Sequence, residues 1–169
     1  MMEESGFSVD REMQLVSFRV GREEFGVDVQ KVEGVISPVD ITKMPRSPEF
    51  VEGIINLRGQ IVAVVDLARR LGIEGSKRGA ATRIVVVEAQ NVKVGLIVDT
   101  PEVINILAGD VEPSPALAAG GVESSFIGGV VKLDDRLLIL LDVDSILTER
   151  ERGDVGVIES QGAGREEGA

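Results

Sequence analysis

The chain has 169 residues, 29 of them acidic and 18 basic, giving a net charge of −11. At roughly 100–200 residues per domain this is one domain or two small ones, and 43% hydrophobic residues suffice for a packed core. The polyanionic balance argues against non-specific binding to nucleic acid or anionic lipid, while the lack of His, Cys, Trp and Tyr excludes thiol nucleophiles, zinc–thiolate and iron–sulfur sites, the commonest general base and a stacking platform for bases.

The first eleven residues, Met1 to Arg11, are polar and predict a mobile tail with no apolar secretory stretch. Leu15 to Val20 and Phe25 to Val29 are β-branched runs around the turn Gly21 to Glu24, which predicts two strands. Val29, Val32 and Ile36 are spaced by three and four, which predicts one or two helical turns. Pro38, Pro45 and Pro48 make Ser37 to Pro48 a loop. Phe50 to Leu57 and Gln60 to Val65 form the next strand pair around Arg58-Gly59, and Asp66 then caps a short helix, Leu67 to Leu71, that ends at Gly72.

The same pattern returns further on. Phe50 to Leu71 lies over Phe126 to Leu147 without a gap, at an offset of 76 positions. It aligns Phe50 with Phe126, Gly53 with Gly129, Leu57 with Leu133 and Asp66 with Asp142. Leu15 to Ile36 lies more weakly over Ile84 to Asn105 at an offset of 69, so the second copy gains seven residues in the Ala/Gly/Pro/Ser-rich stretch Ala108 to Ser125. The body, residues 12–152, is therefore two copies of one unit, about 12–72 and 82–152. Small units of short strands that must hide their edges close into small barrels. Each copy alone buries a modest core, so a shared apolar interface is expected between them. A paired Greek-key sandwich is the fallback, and the repeat leaves open whether strands cross between the units. From Gly153 to Ala169 the chain is rich in Gly and Glu, which predicts a second mobile tail.

Candidate chemistry is sparse. Asp66 and Asp142 follow apolar strands, and capping is the expected role for both, since both copies need the same cap. Asp28, Asp99, Asp142 and Asp144 could offer oxygen ligands to a hard cation but lack the spacing of an EF-hand loop, so no metal is expected. Gly120-Gly121 and Gly128-Gly129 match no phosphate-binding pattern. Glu149 to Arg152 is a charge run expected to be a solvated face. The divergence between copies is sharpest at one hairpin tip, Asn56-Leu57-Arg58-Gly59 against Lys132-Leu133-Asp134-Asp135. An arginine on a rigid tip is a good donor for protein contacts.

The stretch Phe50-Val51-Glu52-Gly53-Ile54-Ile55-Asn56-Leu57-Arg58-Gly59-Gln60-Ile61-Val62-Ala63-Val64-Val65-Asp66-Leu67 resembles the signature of the CheW family of bacterial chemotaxis coupling proteins. Phe25 to Val32, Val94 to Asp99 and Arg136 to Asp142 fit the same family, and the resemblance covers about Gln14 to Thr148. It implies an all-β fold of two SH3-like five-stranded barrels on a shared apolar core, with short helices. It implies a cytoplasmic, non-catalytic adaptor without cofactor or metal, monomeric when isolated and recruited to membrane-associated receptor arrays without inserting in the membrane. Its partners would be the helical-hairpin tip of chemoreceptors, held in the groove between the barrels, and the CheW-like regulatory domain of a CheA-type histidine kinase. An array serving pili, gliding or development is the alternative. Carried over by motif, the receptor-binding residues are Val32, Glu33, Gly53, Asn56, Leu57, Arg58, Gly59 and Val103; the kinase-binding residues are unassigned. Glu33 stands one place from where many relatives carry their acid. A carboxylate-based hydrolase and an oligonucleotide-binding barrel are the competing classes.

Overall fold

The computed structural model describes residues 11–37, 39–44, 48–73, 78–113 and 126–167, with side chains described as far as residue 160. The two tails' outermost residues, Pro38, Pro45 and the glycine pair 120–121 lie outside the described residues. Among the described residues ten strands and two α-helices run in the order β1 (Glu12–Val20), β2 (Glu23–Asp28), β3 (Val32–Ile36), β4 (Val51–Leu57), β5 (Gln60–Asp66), α1 (Leu67–Leu71), β6 (Thr82–Ala89), β7 (Val92–Leu107), β8 (Val111–Glu112), β9 (Ile127–Lys132), β10 (Leu137–Leu141) and α2 (Glu149–Glu167).

The pairing forms two five-stranded SH3-like barrels, and neither coincides with one copy of the repeat. One barrel joins β3, β4 and β5 to β6 and the first half of β7. The other joins β1 and β2 to the second half of β7, β9 and β10, with β8 paired to β9. Each copy thus lends strands to both barrels, and the loans are equivalent. β2 runs parallel to β10 as β7 runs parallel to β5, and β1 meets the second half of β7 as β6 meets β3. The passage from one barrel to the other differs between the copies. Residues Val29–Lys31 make it as one 3₁₀ turn, so the helical spacing seen in Val29, Val32 and Ile36 gives a single turn followed by a strand. In the second copy β7 crosses without leaving the strand, and Thr100 takes a φ of 44° there, a costly conformation for a β-branched residue.

Exchange explains why the strands are apolar on both faces. On β5, Val62 and Val64 fill the barrel interior with Ile55, Ile84, Val86 and Ile97. The alternate residues Ala63 and Val65 point the other way, into a larger core shared by both barrels. On β6 the same split puts Val86 inside and Val85 and Val87 outside. The second barrel has its own small core of Leu15, Ile106, Val131 and Leu138, and sends Val16, Phe18, Ile139 and Leu141 to the shared one.

Arg70 sits at the rim of the shared core. Its guanidinium lies 5.5 Å from the Phe50 ring centre and 5.2 Å from that of Phe126, residues that are mates in the repeat. It donates to both carboxylate oxygens of Glu151, at 2.8 and 2.6 Å, and through Nε to the Ile146 carbonyl at 2.9 Å. Arg70 and Ile146 are themselves 76 positions apart, so the contact falls where the two copies meet.

The C-terminal expectations are corrected. The segment from Gly153 is helical to Glu167, continuing α2, and Val155 and Ile158 are buried in the shared core. The charge run from Glu149 is anchored rather than wholly solvated, because Glu151 binds Arg70 and Arg152 donates to the Leu147 and Asp144 carbonyls. Thr148 and Glu151 form a reciprocal capping box, 2.8 and 3.1 Å, that starts the helix. The second Asp-capped helix is only a 3₁₀ turn, Val143–Ser145.

Arg70→Ala leaves the half-buried Glu151 without its cation and strips a cation from two rings. It should lower unfolding stability by about 2–4 kcal/mol, read as a lower urea midpoint with an unchanged slope.

Candidate docking site

The β4–β5 hairpin turns in two residues, Arg58 and Gly59, between the paired Leu57 and Gln60. Both turn residues have positive φ, 53° and 86°, the geometry that matches strand twist in a tight hairpin. Glycine takes it freely, whereas arginine there costs about 1 kcal/mol. Asn56 supports the tip by accepting the Gly59 N–H at 2.8 Å. Arg58 is exposed and, among the described residues, makes no ion pair or side-chain hydrogen bond. A strained, unpaired arginine is thus displayed on a short, well-paired stalk.

Glu33 is tied to the same tip through a residue that no motif signalled. Lys93 Nζ lies 3.2 Å from a Glu33 carboxylate oxygen and donates to Gln60 Oε1 at 3.1 Å. Gln60 is the first residue after the turn. Val32 lies beside Glu33, half-buried and packed against the shared core. Residues 32, 33, 56, 57, 58 and 59 are therefore gathered on one barrel.

The other two residues stand apart. Gly53 is buried, and a Cβ there would lie 2.5 Å from the Thr42 carbonyl oxygen and 2.6 Å from an Ile41 methyl. The segment carrying Ile41 and Thr42 lies across β4, and Ile41 helps line an open cleft of about 270 Å³ with Glu52 and Arg78. Val103 is on the other barrel, opposite Val16 on β1, and is 60% exposed. Pairing makes its counterpart Val35, opposite Val85 and 45% exposed.

The carboxylates considered for chemistry are engaged structurally. Asp66 accepts the Arg69 N–H and Asp142 that of Asp144, as caps. Asp28 accepts from the Gln30 N–H, Asp99 from the Thr82 hydroxyl, and Asp144 pairs with Lys31. Among the described residues no three potential ligand side chains of His, Cys, Asp or Glu gather as a metal site. Nor is any described helix long and apolar enough to cross a membrane.

The family model for the CheW-like domain matches residues 14–151. The chain belongs to the CheW-like family. Its similarity extends to a chemotaxis protein CheW of Thermotoga maritima, 38% identical over 82% of this chain and 90% of that protein. A chemotaxis protein CheW of Rhizobium meliloti is 34% identical over the same shares. The crystal structure of the scaffolding protein TtCheW from Thermoanaerobacter tengcongensis superposes with a TM-score of 0.76 at 37% identity, covering 83% of this chain and 96% of that one. The CheW-like match ends near the start of α2, so most of that helix lies outside it.

Gly53→Val would drive a branched side chain into the backbone at Thr42. It should destabilise by about 1–3 kcal/mol, and hydrogen exchange should quicken at residues 41–44 and 52–54 before the rest of the sheet.

Proposed function

We propose that this chain is a non-catalytic chemotaxis adaptor that joins the tip of a chemoreceptor to a CheA-type histidine kinase. The chemotaxis and scaffolding names of its relatives support the role. The observation that carries the receptor assignment is the Arg58 tip, a charged donor held out with its side chain uncommitted beside the Glu33–Lys93–Gln60 group.

A helical hairpin with backbone carbonyls or carboxylates at its bend would take the Arg58 guanidinium as a multidentate donor. Val35 and the partly buried Val32 on Arg58's own barrel, and Val103 on the other barrel, would supply apolar area to the receptor hairpin. Gly53 would act by keeping the Ile41–Thr42 segment in place. The kinase regulatory domain would meet apolar barrel ends; Leu107 and Leu137, large exposed side chains on the second barrel, are the first candidates. Separate faces allow one molecule to hold two partners, so micromolar contacts, about −8 kcal/mol each, assemble a stable array through avidity. The caps and ion pairs that occupy the strand-end acids support a role without bond chemistry.

Co-sedimentation with a receptor-tip fragment and the kinase regulatory domain tests this. Arg58→Glu should lose receptor capture by tenfold or more, keep kinase-domain capture, and melt as the wild type does. Undiminished receptor capture, or an unfolded variant, would remove Arg58 from the site.

A further inference from the structure

Helix α2 has a design at odds with its fixed position. Four of its 19 residues are glycine, each about 1 kcal/mol worse than alanine in a helix. Nothing lies within 4 Å of where a Cβ would stand at Gly153 or Gly156, so packing does not require glycine at either. The helix is held instead at particular points. Glu151 binds Arg70 at its start, Val155 and Ile158 enter the shared core, and Glu159 Oε2 accepts the backbone N–H of Ala63 at 2.8 Å. Ala63 is the residue at which β5 begins its parallel pairing with β7. From Arg70 to Ala63 the helix runs back along β5 toward the Arg58 hairpin.

We propose that α2 is a releasable strap whose grip on β5, made by the Glu159 carboxyl group, responds to protonation and is coupled through Lys93 to the Arg58 hairpin. Three groups define the setting of Glu159. β5 offers the Ala63 N–H, β7 offers the Lys93 ammonium, and β3 acts through Glu33, which shares that ammonium. On α2 itself the residues three and four places away, Val155, Gly156, Gly162 and Ala163, carry no charge.

Burial raises the Glu159 pKa to about 7 from 4.5, and the Ala63 N–H and Lys93 oppose the rise. The docked helix therefore holds its proton more tightly than the released one. Docking is strongest below about pH 4.5, weakens as pH climbs toward 7, and is level above that. When Glu159 is neutral, Lys93 is left to Glu33 and Gln60, and the base of the hairpin tightens. When Glu159 is ionised it draws on the same ammonium. This inference depends on the adaptor reading only in treating the hairpin as a docking element.

Hydrogen exchange of the full chain between pH 5 and pH 8.5, corrected for the intrinsic rate, tests both parts. From pH 8 to pH 6 the protection of residues 153–160 should rise severalfold, up to roughly tenfold once screening by water is allowed for. The hairpin at residues 57–61 should follow in the same direction, with β6 as the unchanging reference. In Glu159→Gln, which keeps the acceptor without the titration, protection of α2 should be high and level. In Lys93→Met the α2 midpoint should move to higher pH while the hairpin stops following. Level protection of α2 in the wild type, or the same rise in Glu159→Gln, overturns the strap. A hairpin that still follows in Lys93→Met overturns the coupling. Should Glu159→Gln fail to fold, the wild-type profiles of α2 and β6 decide the first part. Loss of receptor capture at every pH from a chain whose strap titrates as expected would count against the adaptor reading alone.

Discussion

Arg70 lies where the two halves of the repeat meet, and the arrangement of the shared core follows from how its charge is satisfied. A cation at the edge of an apolar core is tolerable only with its donors engaged. Here three donors are taken by Glu151 and the Ile146 carbonyl, and the faces of Phe50 and Phe126 complete the surround. Those groups come from both copies of the repeat and from α2. One side chain thus sets the approach of the copies and the starting point of the helix that lies over them. Since the repeat mate of Arg70 is Ile146, the junction is lopsided at its centre.

The same lopsidedness bears on binding. The barrels have matching strands, matching caps and matching exposed valines at 35 and 103, so a common scaffold supports both. They differ at the hairpin tip. One tip carries a positively charged residue in a strained turn, whereas the other carries Asp134 and Asp135, with Arg136 paired to Glu24 and Asp135. The divergence between the halves is concentrated where the shared scaffold does not need the side chain.

Much of the scaffold could be read from the residues. β-branched apolar runs located four strands and the repeat supplied their mates, eight of the ten described strands or their cores; the offset of 76 paired Asp66 with Asp142 and Gly53 with Gly129, and both aspartates proved to be caps. Strand exchange was not readable, because alternation records which face a residue presents and not which neighbour lies beside it. The run Val29 to Ile36 showed helical spacing, yet β6 needed an edge partner and took residues 32–36 as strand. The end of the chain misled through composition. Its glycines weaken a helix in isolation, but Arg70 and Ala63 supply tertiary support that local propensity cannot express. Within the site, Arg58 stood out through the divergence of the tips, whereas Lys93 did not. Its importance arises only when Glu33 on β3 and Gln60 on β5 are brought within reach of its ammonium.

Reciprocal strand exchange also sets a schedule for synthesis. The barrel of β3 to β6 is complete once the first half of β7 has left the ribosome, about sixty-five residues past the middle of β3 and before β8, β9, β10 and α2 are made. The β1–β2 hairpin, the first of the described elements, must wait for β10, the last of the described strands to emerge. Until β9 and β10 arrive the β1–β2 ribbon stays unclosed, with Leu15 lacking its later core neighbours Val131 and Leu138, the interval in which a holdase chaperone would have most to protect.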